Sequence, residues 1–158
     1  MFLAFLFAIL PKKEFKLGQG TITRYTLFEC KWLFSIYIHD IDSVSQDRFH
    51  THAFNALVYI LKGSYSELIK VNSVKVNSVK INNDAKHENN SVIRKTYRRG
   101  QFRYIPRLLN HKIEKSEPHT TSLSLTGPYS SMWTEELDDG TLYVLTAGRK
   151  VLYKAKIN

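Results

Sequence analysis

Two histidines one residue apart, His50 and His52, open an apolar run from Ala53 to Leu61 that ends at Lys62-Gly63. On a strand, residues i and i+2 point to one face. The two imidazoles would then project together, at a spacing that lets them share one metal ion. His50, His52, Phe54, Ala56, Val58 and Ile60 would form a face that is apolar apart from the histidines, as the inside of a small barrel requires. An isolated His-x-His arises often by accident, so the case rests on a second stretch, Gly100-Gln-Phe-Arg-Tyr-Ile-Pro106-Arg-Leu-Leu-Asn-His111.

Together the two stretches resemble the cupin superfamily. Its first motif is a glycine, five residues, His-x-His, three or four residues, Glu, six residues and Gly. Its second is Gly, five residues, Pro-x-Gly, two residues, His, three residues and Asn. His50, His52 and Gly63 fall on the first, and Gly100, Pro106 and His111 on the second. The chain departs at Val44 for the opening glycine, Ala56 for the glutamate, Leu108 for the second-motif glycine and Lys115 for the asparagine. The finer pattern also resembles short cupin-like proteins common in bacteriophage genomes, through Gly63, Tyr65 and Glu67, then Leu125 to Pro128 and Trp133.

The resemblance implies an all-β, cupin-type jelly-roll barrel with a divalent transition metal at His50, His52 and His111. Three imidazoles favour Fe, Zn, Ni or Cu over Mg or Ca, and three protein ligands leave coordination positions open. Without the glutamate, the set resembles the three-histidine site of thiol dioxygenases, so iron is the expected metal, with zinc, nickel or manganese as alternatives. Glu67 is a candidate fourth ligand from a neighbouring strand. Two functions follow. One is a non-haem metal-dependent dioxygenase acting on a small polar or anionic substrate. The other is a non-catalytic binding or structural module, in a phage virion for example.

The chain has 158 residues, 43% of them hydrophobic and 13% aromatic, enough for one domain with a real core. Its formal net charge of +9 attracts anions without choosing among small molecules, nucleic acid and acidic surfaces. The single Cys30 excludes an internal disulfide and fits a reducing cytosol, either a cell's own or a phage host's. Residues 2–10 are apolar but lack the preceding basic region of a signal peptide. They are also too few for a membrane-spanning helix, which takes about 20. Residues 1–17 are therefore expected to pack on a barrel formed by 18–158, with a short helix or strand stopping at Pro11. A cleaved signal, a membrane-surface anchor and a subunit contact are the alternatives.

Short runs rich in Thr, Tyr, Ile and Phe, such as Thr21 to Phe28 and Trp32 to His39, read as strands. Asp40 to Asp47 reads as a loop, Trp133 to Gly140 as an acidic turn, and Thr141 to Lys156 as a hairpin. The pentapeptide Val71-Asn-Ser-Val-Lys75 recurs at once as Val76 to Lys80, which reads as an insertion lengthening a protruding hairpin over 71–93. About nine short strands and no helical period indicate a sandwich or barrel.

Arg94, Lys95, Arg98, Arg99, Arg103 and Arg107 interleave with Tyr97, Phe102 and Tyr104. Such a pattern can hold phosphates and stack on bases. A solvated strand face is its commoner origin, so a small-molecule or anionic ligand is expected ahead of nucleic acid. A homo-oligomer or larger assembly is the expected protein partner. Arg24, Arg103 and Tyr104 are the candidate anion- or substrate-binding residues. Arg24 shares parity with Ile22 and Thr26, which places it inside the barrel or on its surface, and the pattern leaves both open. His39, His87 and His119 read as structural or solvated. No nucleophile elbow, phosphate loop or CxxC pair is present.

Overall fold

The computed structural model describes residues 10–17, 19–71, 91–146 and 149–156. These form strands and connecting turns, with no helix among them. In chain order the first seven strands are β1 (Lys12–Leu17), β2 (Gly20–Cys30), β3 (Phe34–Asp42), β4 (Phe49–His50), β5 (Ala56–Lys62), β6 (Ser64–Lys70) and β7 (Val92–Arg98). The rest are β8 (Phe102–Ile105), β9 (His111–Ser116), β10 (Thr120–Thr126), β11 (Met132–Glu136), β12 (Thr141–Thr146) and β13 (Val151–Lys156). A six-stranded sheet has the order β1-β2-β3-β10-β5-β8, and a seven-stranded sheet the order β13-β12-β11-β4-β9-β6-β7. Every pairing is antiparallel. The two sheets are the halves of a jelly-roll barrel, as expected.

The glycines of both motifs are corners where the chain changes sheet. Gly63 alone separates β5 in the first sheet from β6 in the second. Its φ of +73° is one that side-chain-bearing residues avoid, and a Cβ there would lie 2.6 Å from Thr120 Oγ1. Gly100, at φ +86°, turns β7 back toward β8 in the first sheet.

Inside, Ala56, Val58 and Ile60 of β5 pack with Tyr65 and Ile105, flanked by Phe54, Tyr97, Leu109 and Ile113. On β10 the pattern is inverted relative to a greasy core. Ser122, Ser124 and Thr126 point inward and are buried, while Leu125 is exposed on the outer face. The interior of the first sheet is thus partly lined with hydroxyls.

Four expectations change. The continuous strand from His50 to Ile60 is broken: β4 ends at His50, and β5 starts at Ala56 in the other sheet. The crossing is pinned by backbone partners. Thr51 N–H donates to Thr134 O at 2.9 Å and His52 N–H to Arg107 O at 3.0 Å. Asn55 Oδ1 accepts from Arg107 N–H at 2.8 Å. Second, the acidic stretch from Met132 to Glu136 is a strand, because it pairs with β12 on one side and β4 on the other. Third, β3 runs on to Asp42, held by β2 and β10. Fourth, residues 12–17 form β1, an edge strand paired with β2.

Residues 1–9 lie outside the described residues, as does the duplicated pentapeptide beyond Val71. The arms of its hairpin, β6 and β7, pair without a register shift from Ser64↔Arg98 to Lys70↔Val92.

Candidate metal centre

His50 and His111 are direct cross-strand partners where β4 meets β9. Opposed residues of an antiparallel pair hold their Cβ atoms about 5 Å apart. His52 enters from the crossing segment just beyond β4. The three ring centroids are 5.0, 5.0 and 5.1 Å apart, and one nitrogen from each ring lies within 4.8 Å of the others. His52 Nε2 and His111 Nε2 are 2.9 Å apart. Two metal–nitrogen bonds of about 2.1 Å meeting at a right angle hold their nitrogens about 3.0 Å apart. The donor set therefore fits a transition metal in chemistry, and the His52–His111 pair fits it in spacing.

Behind His111 lies a carboxylate. His111 Nδ1 is 3.0 Å from Glu67 Oε2, on a side chain with no exposed surface. An N–H donated there fixes the ring's tautomer and leaves Nε2 as the free lone pair. Glu67 Oε1 is 2.7 Å from Arg103 Nη2, an ion pair whose atoms are off the line of a good hydrogen bond. Arg103 also donates to the Tyr104 carbonyl and lies 5.2 Å over the Tyr97 ring. Burial disfavours the Glu67 anion, but the His111 hydrogen bond and the Arg103 charge outweigh it and hold the carboxyl below its ordinary value. Burial, then the neighbouring His111, push His50 down to about 3, while a bond to the Arg48 backbone partly offsets this. Burial and the other two rings push His52 well below the usual histidine range. Both imidazoles are neutral at pH 7, the form a metal requires.

His50 and His52 border two spaces, and His111 borders the inner one. The inner cavity, about 170 Å³, is bounded by all three rings and by Phe54, Ala56, Val58 and Ile105. The outer vestibule, about 580 Å³, is walled by Phe15, Tyr129 and Trp133, with Lys16, Arg48 and Arg149 at its rim.

Of the sequence-derived candidates, His50, His52 and His111 come together. Arg24 lines both spaces, so its interior parity is the one realised. Glu67 sits behind His111 instead of beside the converging nitrogens. Arg103, 6% exposed, is turned inward on β8 and committed to Glu67. Tyr104, its neighbour on the alternating strand, is 57% exposed and lines neither space. His39, read as structural, also borders both spaces. Its signal in the sequence was position alone, on a strand next to that of Arg24.

No protein-family model and no curated protein matches the sequence. Solved structures do match the fold. A sugar phosphate isomerase of the cupin superfamily from Silicibacter pomeroyi superposes with a TM-score of 0.56 at 9% identity, over 95% of this chain and 90% of that one. A cupin 2 conserved barrel domain protein from Rhodopseudomonas palustris gives 0.51 at 12% identity, over 89% and 81%. Oxalate decarboxylase from Bacillus subtilis gives 0.50 at 16% identity, over 78% of this chain and 28% of that one. Fold and site together define a cupin-fold barrel with a three-histidine candidate metal centre. No helix among the described residues is long and apolar enough to cross a membrane.

Proposed function

We propose that this is a metal-dependent enzyme in which His50, His52 and His111 hold one divalent metal, iron before zinc, nickel or manganese. The adjoining cavity takes a small anionic molecule. The reading is carried by the convergence of three imidazoles, one of them braced from behind by Glu67. A bound metal would supply a Lewis-acidic or one-electron centre with coordination positions to spare. Everything else falls to the chain. Glu67 keeps the proton on His111 Nδ1, and Arg103 keeps Glu67 charged. Ala56 stands where a carboxylate ligand would reduce the charge of the centre, which favours an anionic guest. Phe54, Tyr129 and Trp133 give the vestibule an apolar wall. The reaction class we assign to this set is oxidation by dioxygen, as in a non-haem iron dioxygenase.

One contact supports a second reading. The 2.9 Å approach of His52 Nε2 to His111 Nε2 also satisfies both rings as a hydrogen bond. The triad would then be the polar core of a non-catalytic binding or structural module. Metal analysis separates the two. Protein loaded in turn with Fe(II), Zn(II), Ni(II) and Mn(II), then desalted, should retain about one equivalent of at least one metal. His111→Ala should retain none while staying folded, and His119→Ala should behave as wild type. Failure of wild type to retain any of the four removes the enzyme reading and leaves the module.

A further inference from the structure

We propose that Arg24, His39 and Ser124 form a carboxylate-binding subsite whose ligand is a compact monocarboxylic acid with an apolar body the size of one ring. This deepens the reading of the cavity as a substrate site, but the subsite is built on the first sheet and stands without the metal.

Arg24 on β2 and His39 on β3 are direct cross-strand partners, and both border the inner cavity and the vestibule. The Arg24 guanidinium lies 4.5 Å over the Tyr37 ring and 5.6 Å over Phe15. Rings can hold a guanidinium in place, but they do not satisfy its N–H groups. Among the described residues, no Asp or Glu forms an ion pair with Arg24, and its buried Nε has no hydrogen-bond partner. A buried donor left unmade is costly, so the site is short of an acceptor. Carboxylates fit the arginine fork two oxygens at a time. Beside it, His39 Nδ1 is 3.1 Å from Ser124 Oγ, which leaves Nε2 for a ligand oxygen.

Charge and volume set the ligand's class. Among the described residues bordering the inner cavity, Arg24 is the only Lys, Arg, Asp or Glu. One fork and one charge suit a monoanion, whereas a phosphate dianion would call for further cations. The rest of the inner wall includes Phe54, Ala56, Val58, Ile105 and Ile113, which demand an apolar body. Its volume of about 170 Å³ compares with the roughly 150 Å³ apolar cavity that accommodates benzene. With the carboxylate on Arg24, the ring would point toward the histidines.

The test uses the full chain, stripped of metal with a chelator and desalted, and titrated with benzoate as the probe. Binding is followed by calorimetry and by shifts of the histidine ring signals in NMR. Wild type should bind benzoate saturably. Arg24→Gln should weaken it by about 10- to 100-fold, the range expected for losing a charge-assisted pair. Arg24→Lys, which keeps the charge but not the fork, should fall between the two. Inorganic phosphate at the same concentration should not compete. Absence of saturable binding by wild type, equal affinity of wild type and Arg24→Gln, or effective competition by phosphate would each overturn the proposal. Should Arg24→Gln fail to fold by circular dichroism, the comparison of Arg24→Lys with wild type decides, and equal affinity sinks it. Because no metal is present, a protein that binds benzoate but retains no metal upholds this subsite and removes the enzyme reading. The reverse result removes the subsite alone.

Discussion

Replacing Glu67 with glutamine keeps the shape of a side chain with no exposed surface but removes its charge. Two partners lose by it. Arg103, 6% exposed, is left as a buried cation whose counter-charge 2.7 Å away is gone. His111 Nδ1 loses an ionised acceptor at 3.0 Å. Breaking one side of a buried ion pair costs about 3–5 kcal/mol. The amide oxygen can still accept from one partner, so the low end, about 3 kcal/mol, is expected for Glu67→Gln. For a domain of this size that is a fall in Tm on the order of 6–12 °C. In a urea titration the midpoint should drop with the slope unchanged, since the variant exposes as much new surface on unfolding as wild type does. Arg103→Met removes the other half of the pair. The double variant should be more stable than the sum of the two single losses predicts, with a coupling of about 1–3 kcal/mol. Glu67→Gln should also weaken any metal bound at the triad by about 10- to 100-fold, the usual effect of removing a carboxylate behind a ligating histidine. A Glu67→Gln loss under about 1 kcal/mol, or strict additivity in the double variant, would refute the network.

Two further predictions concern the first sheet. Gly63→Ala places a Cβ 2.6 Å from Thr120 Oγ1 at a φ of +73° and should cost about 2–4 kcal/mol in urea unfolding; an effect within experimental error would mean the corner relaxes freely. His39 is held down to about 4, by burial first and the Arg24 charge second. The unfolded chain therefore binds protons more readily between the ordinary value of about 6.5 and 4. Stability should be fully present above that range and fall as pH drops through it, by at most about 3 kcal/mol. His39→Gln should flatten this share of the profile, and an unchanged slope would count against the burial.

The corners and the triad were legible in the sequence because local chemistry dictates them. Gly63 and Gly100 occupy backbone angles that other residues resist. His111 stands at a fixed spacing from Gly100 and Pro106. Ala56, Val58 and Ile60 alternate with Leu57, Tyr59 and Leu61 as a half-buried strand should. The interruption between His50 and Ala56 was not legible, since its backbone partners, Thr134 and Arg107, come from distant parts of the chain. The inner face of β10 was not legible for another reason. Period-two alternation identifies two faces but not which is buried, and here the Ser and Thr face won. The same ambiguity left Arg24 undecided and made Arg103 resemble a free anion binder. Arg103 is a counter-ion to Glu67, on a strand of the opposite sheet.

β4 has two residues, yet it alone joins β13-β12-β11 to β9-β6-β7 within the second sheet. On one side its rungs are Glu135↔His50 and Glu136↔Phe49, and on the other there is His50↔His111 alone. That sheet therefore has a seam, and the seam passes through two of the three histidines. Opening free energies vary across a fold, and segments joined by few backbone bonds lie toward the low end. β4 and the three C-terminal strands are positioned to part from β9 as a unit, so their amides would exchange ahead of those in β3 and β10. Any ligand bridging His50 and His111 acts as a clasp across the seam, and each tenfold excess over its dissociation constant adds about 1.4 kcal/mol to the work of parting it.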